Sequence, residues 1–323
     1  MKEMLPKVSI VTGFYNREDY VEDSIKSLLN QDYENLEIII FDDCSTDRTF
    51  EKIGEICGDN FKVHLIKHER NLGFVKGMIN AINCSSGEFI AVHGSGDISL
   101  PNRVSKQVGF LNANPTLVGV GCYYANVDFA NDVYKKVKRD GPFDFNCFYK
   151  SNPFSHGEVM YRKSVYHKVG GYRDIFKFSQ DLDLWLRMSK EGEFGCVKEI
   201  LYERIINFTG ASYSPSKIIL QRKYSILAKE LNTLGLVKQN EIISYANEIG
   251  VHQYINSRHP LVQKHLFYMF NVLSAKNQLR DIEVFLNNSY GIRYYYYYLI
   301  SYFMNFNFFK YSINRLYKIF INR

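Results

Sequence analysis

Val8-Ser9-Ile10-Val11-Thr12-Gly13-Phe14-Tyr15-Asn16, followed after a helix-like stretch by Ile38-Ile39-Ile40-Phe41-Asp42-Asp43-Cys44-Ser45-Thr46-Asp47, decides how this chain folds. Two apolar, β-prone runs each end in polar, turn-forming residues. Between them Tyr20, Val21, Ser24, Ile25, Leu28 and Leu29 share one face at helical spacing. Asn16 is read as the N-cap of that helix, with Glu18 and Asp19 in its first turn. Strand, crossover helix and strand make a βαβ unit, and ligands of such units bind at the carboxyl ends of the strands. Asp47 and Ser45 suit a solvated turn that caps the next helix. Asp42 fits that reading less well, because it directly follows four apolar residues.

The same rhythm continues. Residues 61–66 read as a strand, Asn71-Leu72-Gly73 as a turn, 74–84 as a helix and 88–92 as the next strand. Pro101 suits the first position of a helix to about Leu111, and 117–121 is again β-prone. The alternation predicts an α/β fold on a mostly parallel sheet. A loop-strand over 152–162 and a helix over 181–190 would close a site. Near Ser214-Pro215-Ser216 the pattern turns helical, over 218–234, 239–250, 261–274 and 279–287. The expected domains are therefore 1–215 and a helical extension, 216–323.

The chain has 323 residues, 46% hydrophobic, enough for a sizeable core. Its net charge of +6 is unevenly placed. Residues 216–323 carry 14 Lys+Arg against 5 Asp+Glu, which leaves 26 against 29 for the rest. A nearly neutral first part argues against a nucleic-acid enzyme with a basic cleft, and for a basic docking element at the end. Six cysteines without C-x-x-C spacing read as reduced thiols, not as a disulfide frame or zinc site. The run 8–14 is too short for a secretory signal, so a cytoplasmic location is expected.

Taken with the segments below, these motifs resemble glycosyltransferase family 2, the inverting sugar transferases of GT-A fold, over about Val8 to Ser212. The resemblance implies a nucleotide-sugar donor, a UDP-sugar in the first instance. It implies that Asp42 and Asp43 hold its base and ribose, with Phe14 and Asn16 lining the pocket and Asn71, Gly73, Lys76 and Gly96 nearby. The family's acidic D-x-D-D cluster aligns, on Pro101, with His93-Gly94-Ser95-Gly96-Asp97, so two of its acids are glycines and only Asp97 remains. The late His of many relatives aligns with Asn207. Two readings of the cofactor stay open. Either Asp97, substrate oxygens and water hold Mg²⁺ or Mn²⁺, or the glycines let backbone N–H groups approach the phosphates while Arg70, Lys76 or Arg204 supplies charge.

In Phe178-Ser179-Gln180-Asp181-Leu182-Asp183-Leu184-Trp185-Leu186-Arg187 the family's E-D pair becomes Gln180-Asp181. Asp181 inherits the role of general base toward the acceptor hydroxyl. Asp183 reads as an i,i+4 partner of Arg187. Trp185, the single Trp, is core or an acceptor-site wall. His156, in Ser151–Gly157, is a contact to acceptor or donor phosphate or a satisfied structural residue. Val169-Gly170-Gly171-Tyr172-Arg173 matches the family's turn before the base-bearing helix.

Residues 290–323 hold five Lys/Arg, no Asp/Glu and fourteen aromatics, a composition suited to a helix in a membrane interface, with packing on the protein's own core or a second subunit as the alternative. A glycan or lipid-linked acceptor and a place on the inner face of the plasma membrane follow as expectations. The alternative function is an inactive nucleotide-sugar or glycan-binding module of the same fold. A nucleotidyltransferase would want a Gly-rich, basic phosphate loop after the first strand, and Thr12–Asn16 is not one.

Overall fold

The structure is a computed structural model that describes residues 5–206, 215–275 and Asn288. The chain divides into two compact units, Met1–Phe208 and Thr209–Arg323. Asn207, the predicted helix over 279–287 and the tail 290–323 lie outside the described residues.

In the first unit β1 (Val8–Phe14), α1 (Val21–Leu29), β2 (Leu36–Asp42), α2 (Thr49–Cys57), β3 (Val63–Lys67), α3 (Phe74–Cys84) and β4 (Phe89–Val92) alternate as the sequence predicts. They are followed by β5 (Ile98–Ser99), α4 (Arg103–Ala113), β6 (Gly119–Asp128), β7 (Val133–Val137), α5 (Phe145–Lys150), β8 (Met160–Arg162), α6 (Lys163–Lys168), α7 (Gln180–Met188) and β9 (Phe194–Ile205). The sheet order is β3-β2-β1-β4-β8-β6-β9-β5, with β7 added beside β6. β1 to β4 pair in parallel. Beyond them the sheet is mixed: β8 runs antiparallel to both β4 and β6, while β9 returns parallel to β6.

Every residue of β1, β2 and β4 is buried, which explains why they read as continuous apolar runs. β3, at the edge, is half-exposed. Helix α1 buries Val21, Ser24, Ile25 and Leu28 on this sheet, the face read from its spacing. Two boundaries differ from expectation. α1 starts at Val21 with no side-chain cap, so Asn16 is not its N-cap and its first-turn acids are Glu22 and Asp23, not Glu18 and Asp19. α4 starts at Arg103, with Pro101 in the preceding turn, where the Arg103 N–H closes on the Leu100 carbonyl.

Two features show how tightly β2 is built in. The Phe41 ring fills the space left by Gly13 on β1 and Gly77 on α3, where a methyl group at either position would overlap it. Glu37, 5% exposed, receives hydrogen bonds from Ser9 Oγ, Ser86 N–H and Ser86 Oγ, and Lys7 Nζ lies 2.7 Å away. Burial pushes its carboxyl up, but these donors outweigh it and hold the pKa down to about 2.

The second unit is helical: α8 (Pro215–Asn232), α9 (Leu236–Ile249), α10 (Val251–Tyr254) and α11 (Pro260–Ala275). Its core includes Leu227, Leu231, Ala246, Val262, Leu266 and Phe270. Among the described residues no helix is long and apolar enough to cross a membrane, and no two cysteines are paired.

Gly13→Ala is expected to lower unfolding stability by about 1–3 kcal/mol, because a close-packed core resists added volume. Phe41→Leu in the same chain should restore part of the loss; urea midpoints of the single and double variants check this. Glu37 gives a pH signature of defined sign. Its folded pKa lies below the ordinary 4.5, so its stabilisation is present above that value and is lost as pH falls toward about 2. The stability gap between wild type and Glu37→Gln should therefore narrow over that window in urea titrations.

Candidate active site

The carboxyl ends of β1 and β2 lie side by side, Phe14 opposite Asp42 in register. Asp42 is fully buried. Its Oδ2 accepts the Ser45 N–H at 3.0 Å, and its Oδ1 has no hydrogen-bond partner among the described residues. Asp43 is held by three donors: Oδ1 accepts from His68 Nδ1 and the Leu72 N–H, both at 2.8 Å, and Oδ2 from the Gly73 N–H at 2.9 Å. It therefore clamps the loop bearing Asn71 and Gly73. The Phe14 ring is 1% exposed and belongs to the core, so its side chain does not line a pocket; its carbonyl receives the Asp43 N–H. Asn16, at φ 50°, joins the two strand ends instead of capping a helix. Its Oδ1 accepts the Thr46 N–H at 2.8 Å and its own N–H reaches Ser45 Oγ.

After β4 the chain turns through Gly94-Ser95-Gly96-Asp97. Asp97, 9% exposed, accepts the Tyr202 hydroxyl on Oδ2 at 2.7 Å and the Ile205 N–H on Oδ1 at 2.9 Å. Burial raises its pKa to about 6, against the lowering pull of those two donors and of the Arg204 and Arg17 charges. The glycine N–H groups expected to face phosphate are already used: Gly94 donates to the Tyr202 hydroxyl and Gly96 to Ser24 Oγ. His93, fully buried, bridges Ser24 Oγ and Ser99 Oγ, and burial keeps it neutral. For the divalent cation implied by the family resemblance, this donor set offers one carboxylate, with substrate oxygens and water left to supply the rest. A hard cation wants several oxygen ligands. Here one carboxylate is held from both sides, and the described residues contain no group of three His, Cys, Asp or Glu that could hold a metal ion.

Across the site, Asp181 lies in the first turn of α7, half-buried, and its Oδ2 accepts from Asn152 Nδ2 at 2.7 Å. Its charge acts on His156, which burial nevertheless holds below the usual histidine range. His156 has φ 79° and hydrogen-bonds the Tyr172 hydroxyl through Nε2 at 2.7 Å. Its ring meets Phe74 at 5.8 Å and Trp185 at 6.0 Å. Phe74 follows the Gly73 that Asp43 holds, so the Asp43 loop reaches the His156 ring through Phe74. Trp185 is fully buried against Tyr161 and Phe194 and is core, not an acceptor wall. Asp183 pairs with Arg187 at 2.7 Å, as its spacing suggests, and also with Arg173. Lys76 faces Asp174 at 3.3 Å on the surface. Arg204 flanks the Asp97 loop, one residue before the Ile205 that donates to it.

Sequence reading did not single out Tyr202, Arg17, His68 or Asn152. Tyr202 lies 105 residues beyond Asp97 and His68 25 beyond Asp43, so no local spacing announces either pair. Arg103, fully buried, is a further surprise: its Nη1 donates to the Val92 and Gly157 carbonyls, and its charge sits 5.3 Å from the Tyr202 ring.

Comparison with known proteins agrees with this architecture. The profile of glycosyl transferase family 2 matches residues 9–170. EpsE of Bacillus subtilis (strain 168), named as a glycosyltransferase, is 33% identical over 202 residues, covering 61% of this chain and 72% of EpsE. TuaG of the same organism, named for teichuronic acid biosynthesis, is 25% identical over 246 residues, covering 74% and 93%. Among solved structures, S. aureus TarS with UDP-GlcNAc superposes with a TM-score of 0.59 at 17% identity, over 87% of this chain and 79% of TarS. The Pyrobaculum calidifontis mannosyltransferase with GDP-Man and Mn²⁺ gives 0.54 at 17% identity, over 82% and 75%. The two structures speak to the fold, which is GT-A. With half of its length matched by the profile, this chain belongs to glycosyl transferase family 2.

Proposed function

We propose that the chain transfers a sugar, with inversion, from a nucleoside-diphosphate sugar to a hydroxyl of a glycan or lipid-linked acceptor, with Asp181 as general base. The observation that carries this reading is the placement of Asp181. It stands at a helix start, half-buried and oriented by Asn152, and its charge acts on His156, whose ring packs on Phe74. In-line attack on the anomeric carbon needs a base on the face opposite the departing diphosphate. A carboxylate fixed by one amide still has acceptor capacity for that proton. Asp42, with one buried oxygen unspent, is the group suited to the nucleotide, and Asp43 positions the loop beside it. His156, under Phe74, is suited to orient the acceptor.

A nucleotide-sugar donor is supported by the UDP-GlcNAc and GDP-Man held by the two structural relatives, and a surface-polysaccharide acceptor by the name of TuaG. Under this reading residues up to about 215 form the catalytic domain and 216–323 a basic, aromatic extension, with membrane contact through 290–323 on the cytoplasmic face.

Asp181→Asn should lower transfer by about 100-fold or more, the scale of general-base catalysis, while nucleoside-diphosphate binding stays within about twofold. Product formation with labelled donor and calorimetric binding measure the two. Unchanged transfer would remove Asp181 as base, and donor binding with no turnover in the wild type on any acceptor would favour a binding module. Asp43→Ala should weaken nucleotide binding and speed amide exchange at Leu72 and Gly73, whose N–H groups lose their acceptor; mass-spectrometric hydrogen exchange reads the second effect.

A further inference from the structure

We infer that this chain binds the diphosphate of its donor without a divalent cation, with the Arg17 and Arg204 guanidinium groups supplying the positive charge. The inference rests on the nucleotide-sugar reading above. Its first support is that the acidic loop has been rebuilt, not merely depleted. The Tyr202 hydroxyl donates to Asp97 Oδ2 and accepts the Gly94 N–H at 2.8 Å. It reaches this position because residues 94 and 157 are glycines. A Cβ at 94 would run into the Asp97 carboxylate, and one at 157 into the Tyr202 hydroxyl. A side chain at position 94 would displace the Asp97 carboxylate from its present place under the Tyr202 hydroxyl. The aromatic ring is held in turn by the fully buried Arg103 behind it. With Ile205 N–H on the other oxygen, the carboxylate answers to fixed protein donors on both sides.

The second support is where cationic charge collects. Arg17, in the loop after β1, lies over the Tyr20 ring at 5.5 Å. The Tyr20 Cβ in turn crowds Gly96, standing 2.9 Å from where a Cβ there would be. Arg204 adjoins Ile205 on the other flank. Both charges act on Asp97, and among the described residues neither guanidinium closes an ion pair. Two guanidinium groups flanking one loop suit a diphosphate, because their planar forks bind phosphate oxygens in pairs. Lys76, by contrast, is engaged with Asp174.

The test is calorimetric titration of the full chain with UDP, GDP and dTDP, in excess EDTA and again in saturating Mn²⁺. The nucleotide that binds should do so with a Kd unchanged within about twofold between the two buffers, and Arg17→Ala and Arg204→Ala should each weaken it by about tenfold or more. Circular dichroism confirms that the variants are folded. A Kd about tenfold weaker in EDTA, or two arginine variants that bind like wild type, would overturn the inference while leaving the donor class intact. Absence of binding by all three nucleotides in both buffers would overturn the nucleotide-sugar reading itself, and the inference with it.

Discussion

One buried carboxylate organises the front of this protein. Asp43 follows β2, donates its N–H to the end of β1, and accepts three hydrogen bonds from the segment after β3. Three chain segments remote in sequence are tied at one residue that is 4% exposed. A buried carboxylate is costly unless it is hydrogen-bonded. Here the donors are backbone N–H groups and a buried imidazole stacked on Phe41, so the clamp persists only while all three segments stay in place. Gly73 takes its position from it, and the Phe74 ring that follows packs on the ring of His156.

Around this clamp the backbone is held in conformations that most residues avoid. Asn16, Cys44, His156 and Ser179 all have positive φ, and all lie in the segments that carry the candidate site residues. Strain of this kind persists only where the surroundings over-determine it. Asn16 is fixed by Ser45 and Thr46, His156 by Tyr172 and two aromatic rings, and Ser179 opens the helix that presents Asp181. Rigid β1, β2 and β4, buried throughout, supply the scaffold against which these turns are pinned.

Behind the Gly94–Asp97 loop lies a second polar layer. Arg103 ties the Val92 carbonyl to the Gly157 carbonyl, and so joins the end of β4 to the turn that holds His156. Glu158, fully buried with its pKa raised to about 7 by desolvation, accepts the Ser155 N–H in the same turn. These contacts make the Gly94–Asp97 loop and the His156 turn parts of one network. They also explain why Tyr202 can reach Asp97: the phenol enters between two glycines whose backbones that network positions.

The sequence by itself determined the βαβ rhythm, the buried face of α1, the limits of α3 and the family. Each rests on local periodicity, or on motifs short enough to be read in one stretch. It also placed Asp183 with Arg187, because four residues on a helix fix that distance. Only the tertiary structure decided that Asn16 bridges two strands, that Phe14 and Trp185 are core, and that Asp43 is a clamp. The same is true of the mixed second half of the sheet and of the Tyr202 hydroxyl on the lone acid of the loop. Those outcomes depend on which groups meet across 25 to 105 residues of chain. A carboxylate's partners, unlike a helix's apolar stripe, leave no periodic trace in the residues beside it.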